Sequence, residues 1–237
     1  MLGFSLSRLH YFNFDGEFSK STAPGYWYYF GHGAKRIAMI VHFAGALPAG
    51  ILMVLQFTPI IRHKFLLFHR LNGYLVLFLL LVSNISVCVV FPHNHSGNRI
   101  AAQSAEAFLV IITTAGMGLA WWNIRRLQID QHRAWMLRTM FYFGSIITSW
   151  IFGNIASWIV TSMGGYYNVW TCDEIDFLYK QYGLEGTPED LYPQCFSPRA
   201  TPETPVVVTA SRASTAGPEQ AGSSSTVPFG SMVSSFP

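Results

Sequence analysis

Two stretches of the chain repeat one arrangement of basic side chains: Arg62, six intervening residues, then His69-Arg70; and Arg125, six intervening residues, then His132-Arg133. Two imidazoles brought to equal depth in a helical bundle meet the demand of bis-histidine ligation of one haem b, or of a metal site. The cationic neighbours favour a different chemistry. Arg62, Arg70, Arg125, Arg133 and Arg138 repel a bare metal ion and suit an anionic ligand, such as a lipid headgroup, an acidic metabolite or haem propionates. A plain alternative stands beside both: at a membrane boundary such a pair anchors its helix, Arg reaching phosphate and His bonding a loop carbonyl.

The elements that must position these side chains are four apolar runs, Ile37–Phe57, Leu71–Phe91, Ile100–Trp122 and Thr139–Thr161. Each has about 21 to 23 residues, enough at a rise of 1.5 Å per residue to cross a hydrocarbon layer of roughly 30 Å. The composition agrees: 51% of the 237 residues are hydrophobic, 11% are charged, and mean hydropathy is +0.29. A soluble domain would carry about twice that charge. The expected fold is therefore all-α, a four-helix transmembrane bundle whose partner is the lipid bilayer. The net charge of +3 sits in loops between apolar runs, so nucleic acid is not an expected partner. The expected organisation is an amino-terminal extension over 1–36, the bundle over 37–163, a small juxtamembrane cap over 164–196 and a disordered tail over 197–237.

Orientation follows from the basic loops. Arg62, Lys64 and Arg70 in one, with Arg125, Arg126, Arg133 and Arg138 in the other, outweigh Lys20, Lys35, Arg36 and Arg99, which puts both loops in the cytosol and both termini outside. Asn94-His95-Ser96 is a glycosylation sequon in a loop that this topology exposes, and Cys172 and Cys195 fall where an oxidising compartment lets them pair. Cys88 reads as a small residue inside the second run. From Ser197 onward Ser, Thr, Pro, Ala and Gly dominate, with little to bury, hence the expected tail.

A second polar layer lies deeper. Counted inward from the outer boundary, His42, Asn84, Glu106 and Asn154 fall roughly 7 to 11 Å below the surface, one on each run. Ionisable side chains in hydrocarbon are costly unless they face the interior and find partners, and His42 with Glu106 is the expected pair. The bland reading is that such groups only hold helices together. Pro48, flanked by Gly45 and Gly50, should bend the first helix beside this layer.

The series His42, Gln56-Phe57, Arg62, His69-Arg70-Leu71-Asn72-Gly73-Tyr74 and Asp130-Gln131-His132-Arg133-Ala134-Trp135-Met136-Leu137-Arg138 resembles a family of multi-pass membrane proteins known as a domain of unknown function, the 2306 type. The resemblance covers roughly Ile37 to Thr161 and implies several membrane helices with a shared His/Arg site, without bringing a reaction. No glycine-rich phosphate loop, nucleophile elbow, CxxC pair or HExxH helix occurs in the sequence. No helix holds two widely spaced histidines, so one haem b fits and two do not. Three functions remain open: a single-haem or metal redox component using His69 and His132; an ion, lipid or small-acid binding or transport module; and a non-catalytic accessory of a specialised biosynthetic pathway, working as a homodimer or beside a membrane enzyme.

Overall fold

Length and apolarity carry the four runs into four long helices, the dominant elements of a chain that is 75% helical. The computed structural model describes residues 1–90, 100–184 and 186–229, with the backbone alone at Ile100, Ala101 and Phe229. The sequon at Asn94 and the flanking His93 and His95 lie outside the described residues. In chain order the α-helices of six or more residues are α1 (Leu2–Ser7), α2 (Gly33–Phe57), α3 (Pro59–Lys64), α4 (Leu66–Val90), α5 (Ile100–Arg125), α6 (Ile129–Met163), α7 (Cys172–Gln181) and α8 (Pro218–Thr226). The long four, α2, α4, α5 and α6, are each long and apolar enough to cross a membrane, so this is an integral membrane protein with four candidate spans.

The chain forms two units. The first holds residues 1–21, 32–92, with α2, α3 and α4, and 103–149. Its core is assembled from all four long helices: Ala49 and Met53 on α2, Val76 and Leu80 on α4, Met117 on α5, Met140 and Phe143 on α6. Close approach is built in at Gly45, where a Cβ would come within 2.6 Å of the Leu79 carbonyl oxygen, so only glycine lets α2 and α4 meet there. Large apolar side chains including Phe78, Ile85, Phe108, Ile111 and Phe141 face outward, as acyl chains require and water would not allow in such number.

The helices run past the apolar runs, most of all in α6. The fourth helix begins ten residues before Thr139, at Ile129, and its 35 residues span about 52 Å, more than a hydrocarbon layer needs. The charged opening Asp130 to Arg138 is helical even though its hydropathy reads as loop. Residues 1–21 of the amino-terminal extension belong to the first unit, with α1 packed on α2.

The second unit contains residues 22–31 and the chain from Trp150. Strands β1 (Tyr167–Thr171) and β2 (Pro205–Thr209) pair antiparallel, with Tyr167 opposite Thr209 and Thr171 opposite Pro205. Helix α7 follows β1 directly because Thr171 and Glu174 form a capping box at its start. Trp170, Cys172, Ile175, Leu178, Tyr179, Tyr192, Val206 and Val208 make the core, and a disulfide joins Cys172 to Cys195 across a separation of 23 residues.

Within the stretch expected as a tail, Ser197 to Phe229 holds β2, α8 and a closing turn. Two features hid this. Val206 and Val208 alternate inward on a strand too short to register as an apolar run, and the Ser-rich helix is buried through polar bonds instead of greasy contacts. The Trp170 indole Nε1 donates to Ser223 Oγ at 2.8 Å, Ser157 Oγ donates to Ser224 Oγ at 3.1 Å, and Asn168 Nδ2 donates to Thr226 Oγ1 at 3.4 Å. Buried polar groups satisfied in this way need little hydrophobic area.

Candidate functional site

The two basic corners are fastened differently. In the first, Gln56 Nε2 near the end of α2 donates to the His69 carbonyl oxygen at 2.9 Å, and Asn72 Nδ2 on α4 donates back to the Leu52 carbonyl oxygen at 3.1 Å. This reciprocal brace fixes the opening turns of α4 against α2 and so fixes where the His69 ring stands. Its Nδ1 is enclosed and has no hydrogen-bond partner. In the second corner the side chain itself makes the tie: His132 Nδ1 lies 2.9 Å from the Ala120 carbonyl oxygen, which can only accept, so Nδ1 carries the proton and donates. In the neutral ring Nε2 is then a bare lone pair.

Arg62 and His132 each lie within electrostatic reach of His69. Arg62 reaches the site from the last turn of α3. The other arginines are exposed and stand around rather than within it. Arg125 lies over the Trp121 ring at 5.9 Å, and Arg138 over Trp135 at 5.0 Å; Arg126, which the sequence reading left out of the site, lies over Trp122 at 4.4 Å. Such stacking at a helix end is how a guanidinium is held at a membrane boundary while its edge stays open to phosphate. Among the described residues no ion pair joins Arg62, Arg70, Arg125, Arg133 or Arg138 to a carboxylate. Nor, among those residues, does any group of three or more His, Cys, Asp or Glu side chains gather as a metal ion's shell would need.

A family model described as a predicted membrane protein, DUF2306, matches residues 39–171, more than half of the chain. The chain belongs to the DUF2306 family. No curated protein and no solved structure matches it. The matched DUF2306 region contains every histidine and arginine of the two corners, together with Gln56 and Asn72, so the brace and the imidazoles fall within one family unit.

The deeper layer of this DUF2306 protein has partners that the sequence did not announce. His42 Nδ1 shares a hydrogen bond with Ser83 Oγ at 2.9 Å, tying α2 to α4. Asn84 Nδ2 donates to Thr113 Oγ1 at 3.0 Å and to Thr114 Oγ1 at 2.9 Å, tying α4 to α5. Glu106 is half-buried on α5, two turns before Thr113. Asn154 belongs to the second unit, where its Oδ1 accepts from Arg212 Nη1 at 3.3 Å. Ser83, Thr113 and Thr114 were missed because hydroxyls are routine in membrane helices; only their helical phase toward the interior marks them.

Proposed function

We propose that this membrane protein holds an anionic group, a lipid phosphate or a small organic acid, at the corner formed by Arg62, His69 and His132. The observation that carries the reading is the enclosed Nδ1 of His69, which lacks a hydrogen-bond partner while His132 and Arg62 act on its ring. An unsatisfied enclosed polar atom costs about 1–3 kcal/mol, and a ligand oxygen accepting from the Nδ1–H of a neutral His69 ring, with a charge-assisted bond from the Arg62 guanidinium beside it, recovers that cost. The absence of carboxylate partners for the five arginines among the described residues supports the same reading: the negative charge that balances them comes from a ligand. Arg70, Arg125, Arg133 and Arg138 form the outer rim, and the positive-inside bias sets both corners on the cytosolic face, with the disulfide-bearing segment in an oxidising compartment.

A second reading takes the same two imidazoles as axial ligands of one haem b, with arginines on its propionates. The donation from His132 Nδ1 to the Ala120 carbonyl favours it, because a ligating histidine is oriented by just such a bond through its other nitrogen. Binding of dioleoylphosphatidic acid, inorganic phosphate and succinate to the detergent-purified protein tests the first reading and separates its sources. His69→Ala and Arg62→Gln should each weaken the productive ligand by tenfold or more. A Soret band in the purified protein, lost in both His69→Ala and His132→Ala, would move the assignment to haem.

A further inference from the structure

We infer that residues 1–18 lie inside the bilayer along the first span, facing acyl chains, with Met1 toward the leaflet opposite Arg36. The argument rests on where the segment touches α2. Asp15 Oδ2 pairs with Arg36 Nη2 at 2.8 Å, and the Arg36 guanidinium lies 5.5 Å from the Phe14 ring centre. Phe18 and Tyr11 pack on Phe43, with ring centres 5.3 and 5.4 Å apart. Ser5 stands so close to Gly50 that a Cβ on that glycine would collide with the seryl oxygen. Positions 36, 43 and 50 are two helical turns apart in each step, so they form one stripe along the axis, and the stripe covers about 21 Å.

The segment therefore runs antiparallel to α2 and along the bilayer normal. A helix lying flat in the headgroup plane would touch α2 at one depth only. Ten residues separate Ser5 from Asp15, and about 2 Å of rise for each, near that of a 3-10 helix, spans the same distance; a 3-10 turn occupies Leu9–Phe12. Gly50 is seven residues, about 10 Å, from the end of α2 at Phe57, which places Ser5 in the far half of the hydrocarbon.

The side chains sort accordingly. Ser5, Phe14 and Phe18 are buried, whereas Leu2, Leu6, Leu9 and Phe12 stay between 37% and 51% exposed alongside exposed Ser7, His10 and Asn13, an outer face on which large apolar groups predominate. Asp15 stands at the Arg36 end, and Glu17 and Lys20 follow it in the chain, both exposed. Arg8, the one Lys or Arg at depth, is half-buried, donates from Nη1 to Tyr11 Oη at 2.6 Å, and lies over the Phe4 and Tyr11 rings at 5.4 and 5.2 Å. Aromatic faces and a phenol oxygen are what a cation needs in a low dielectric.

Thiol labelling in sealed vesicles tests it. In a Cys88→Ser background, whose remaining two cysteines are disulfide-bonded, Leu6→Cys, Phe12→Cys and Lys20→Cys are each treated with a membrane-impermeant maleimide. From the face where Lys20→Cys reacts, Leu6→Cys and Phe12→Cys should react at least tenfold more slowly, and denaturing detergent should abolish the difference. Both tested sites are outward-facing, so cysteine is tolerated, and labelling in detergent reports that the protein is present. Labelling of Leu6→Cys from that face at a rate within tenfold of Lys20→Cys would overturn the inference and return the segment to the membrane surface.

Discussion

His69 and His132 occupy matching sequence positions, yet their rings are held in opposite ways. His132 spends Nδ1 on the Ala120 carbonyl, a bond that ties α6 to α5, whereas His69 is positioned through its backbone by Gln56 and leaves its own Nδ1 without a partner. The two alanine variants should therefore separate. His132→Ala loses an interhelical bond and should lower stability by about 1 kcal/mol, while His69→Ala removes no bond and should leave the melting temperature of ligand-free protein within experimental error. Thermal unfolding of the two variants in detergent, after exhaustive delipidation, checks this. Equal destabilisation would mean that both histidines are plain anchors.

At the scale of elements, the brace made by Gln56 and Asn72 is the part of the site most exposed to a direct test. Replacing either with alanine should cost about 0.6 kcal/mol and loosen the start of α4, weakening ligand binding at His69 without touching the ligand. Replacing Tyr74, which is exposed, should change neither. Apolar run length alone revealed four helices, because nothing but a membrane span demands so many consecutive apolar residues. The same measure cut α6 short at Thr139, since helix continues through Asp130 and Arg133 for reasons of local bonding that hydropathy does not record. His42 was visible as a buried polar group, but its partner Ser83 was not: any Ser, Thr or Asn at the right helical phase would have served equally well.

The whole molecule joins a membrane unit to a second unit whose stability rests on different chemistry. Its disulfide closes a loop of 23-residue separation, so Cys195→Ser should destabilise that unit by about 3 kcal/mol, measurable as loss of resistance to proteolysis. Within it Glu219 is fully buried, with Oε1 accepting from Tyr192 Oη at 2.8 Å and Tyr179 Oη at 3.3 Å. Burial first, and the Glu219 carboxylate after it, push the Tyr179 phenol up to about 12 and raise Tyr192 as well. Because the folded phenols bind their protons more tightly than free tyrosine, their contribution is complete below pH 10 and is lost as pH climbs toward 12. Ultraviolet titration should show tyrosines ionising late, together with unfolding of this unit, and Glu219→Gln should bring Tyr179 ionisation to lower pH. The disulfide was legible from its two cysteines, but the buried Glu219 and its phenols were not, because Ser, Thr and Gly after Ser197 suggested only a tail and long-range pairing of Trp170 with Ser223 has no local signature.

The central claim is that Arg62, His69 and His132 together hold an anion. Native mass spectrometry of the purified protein titrated with dioleoylphosphatidic acid, phosphate or succinate tests it most directly. One of these should form a one-to-one complex that is weakened at least tenfold by Arg62→Gln, by His69→Ala and by His132→Ala, with dioleoylphosphatidylcholine at the same concentration failing to compete. Retention of full binding when all three residues are replaced, or no complex with any of the three anions, would contradict the account.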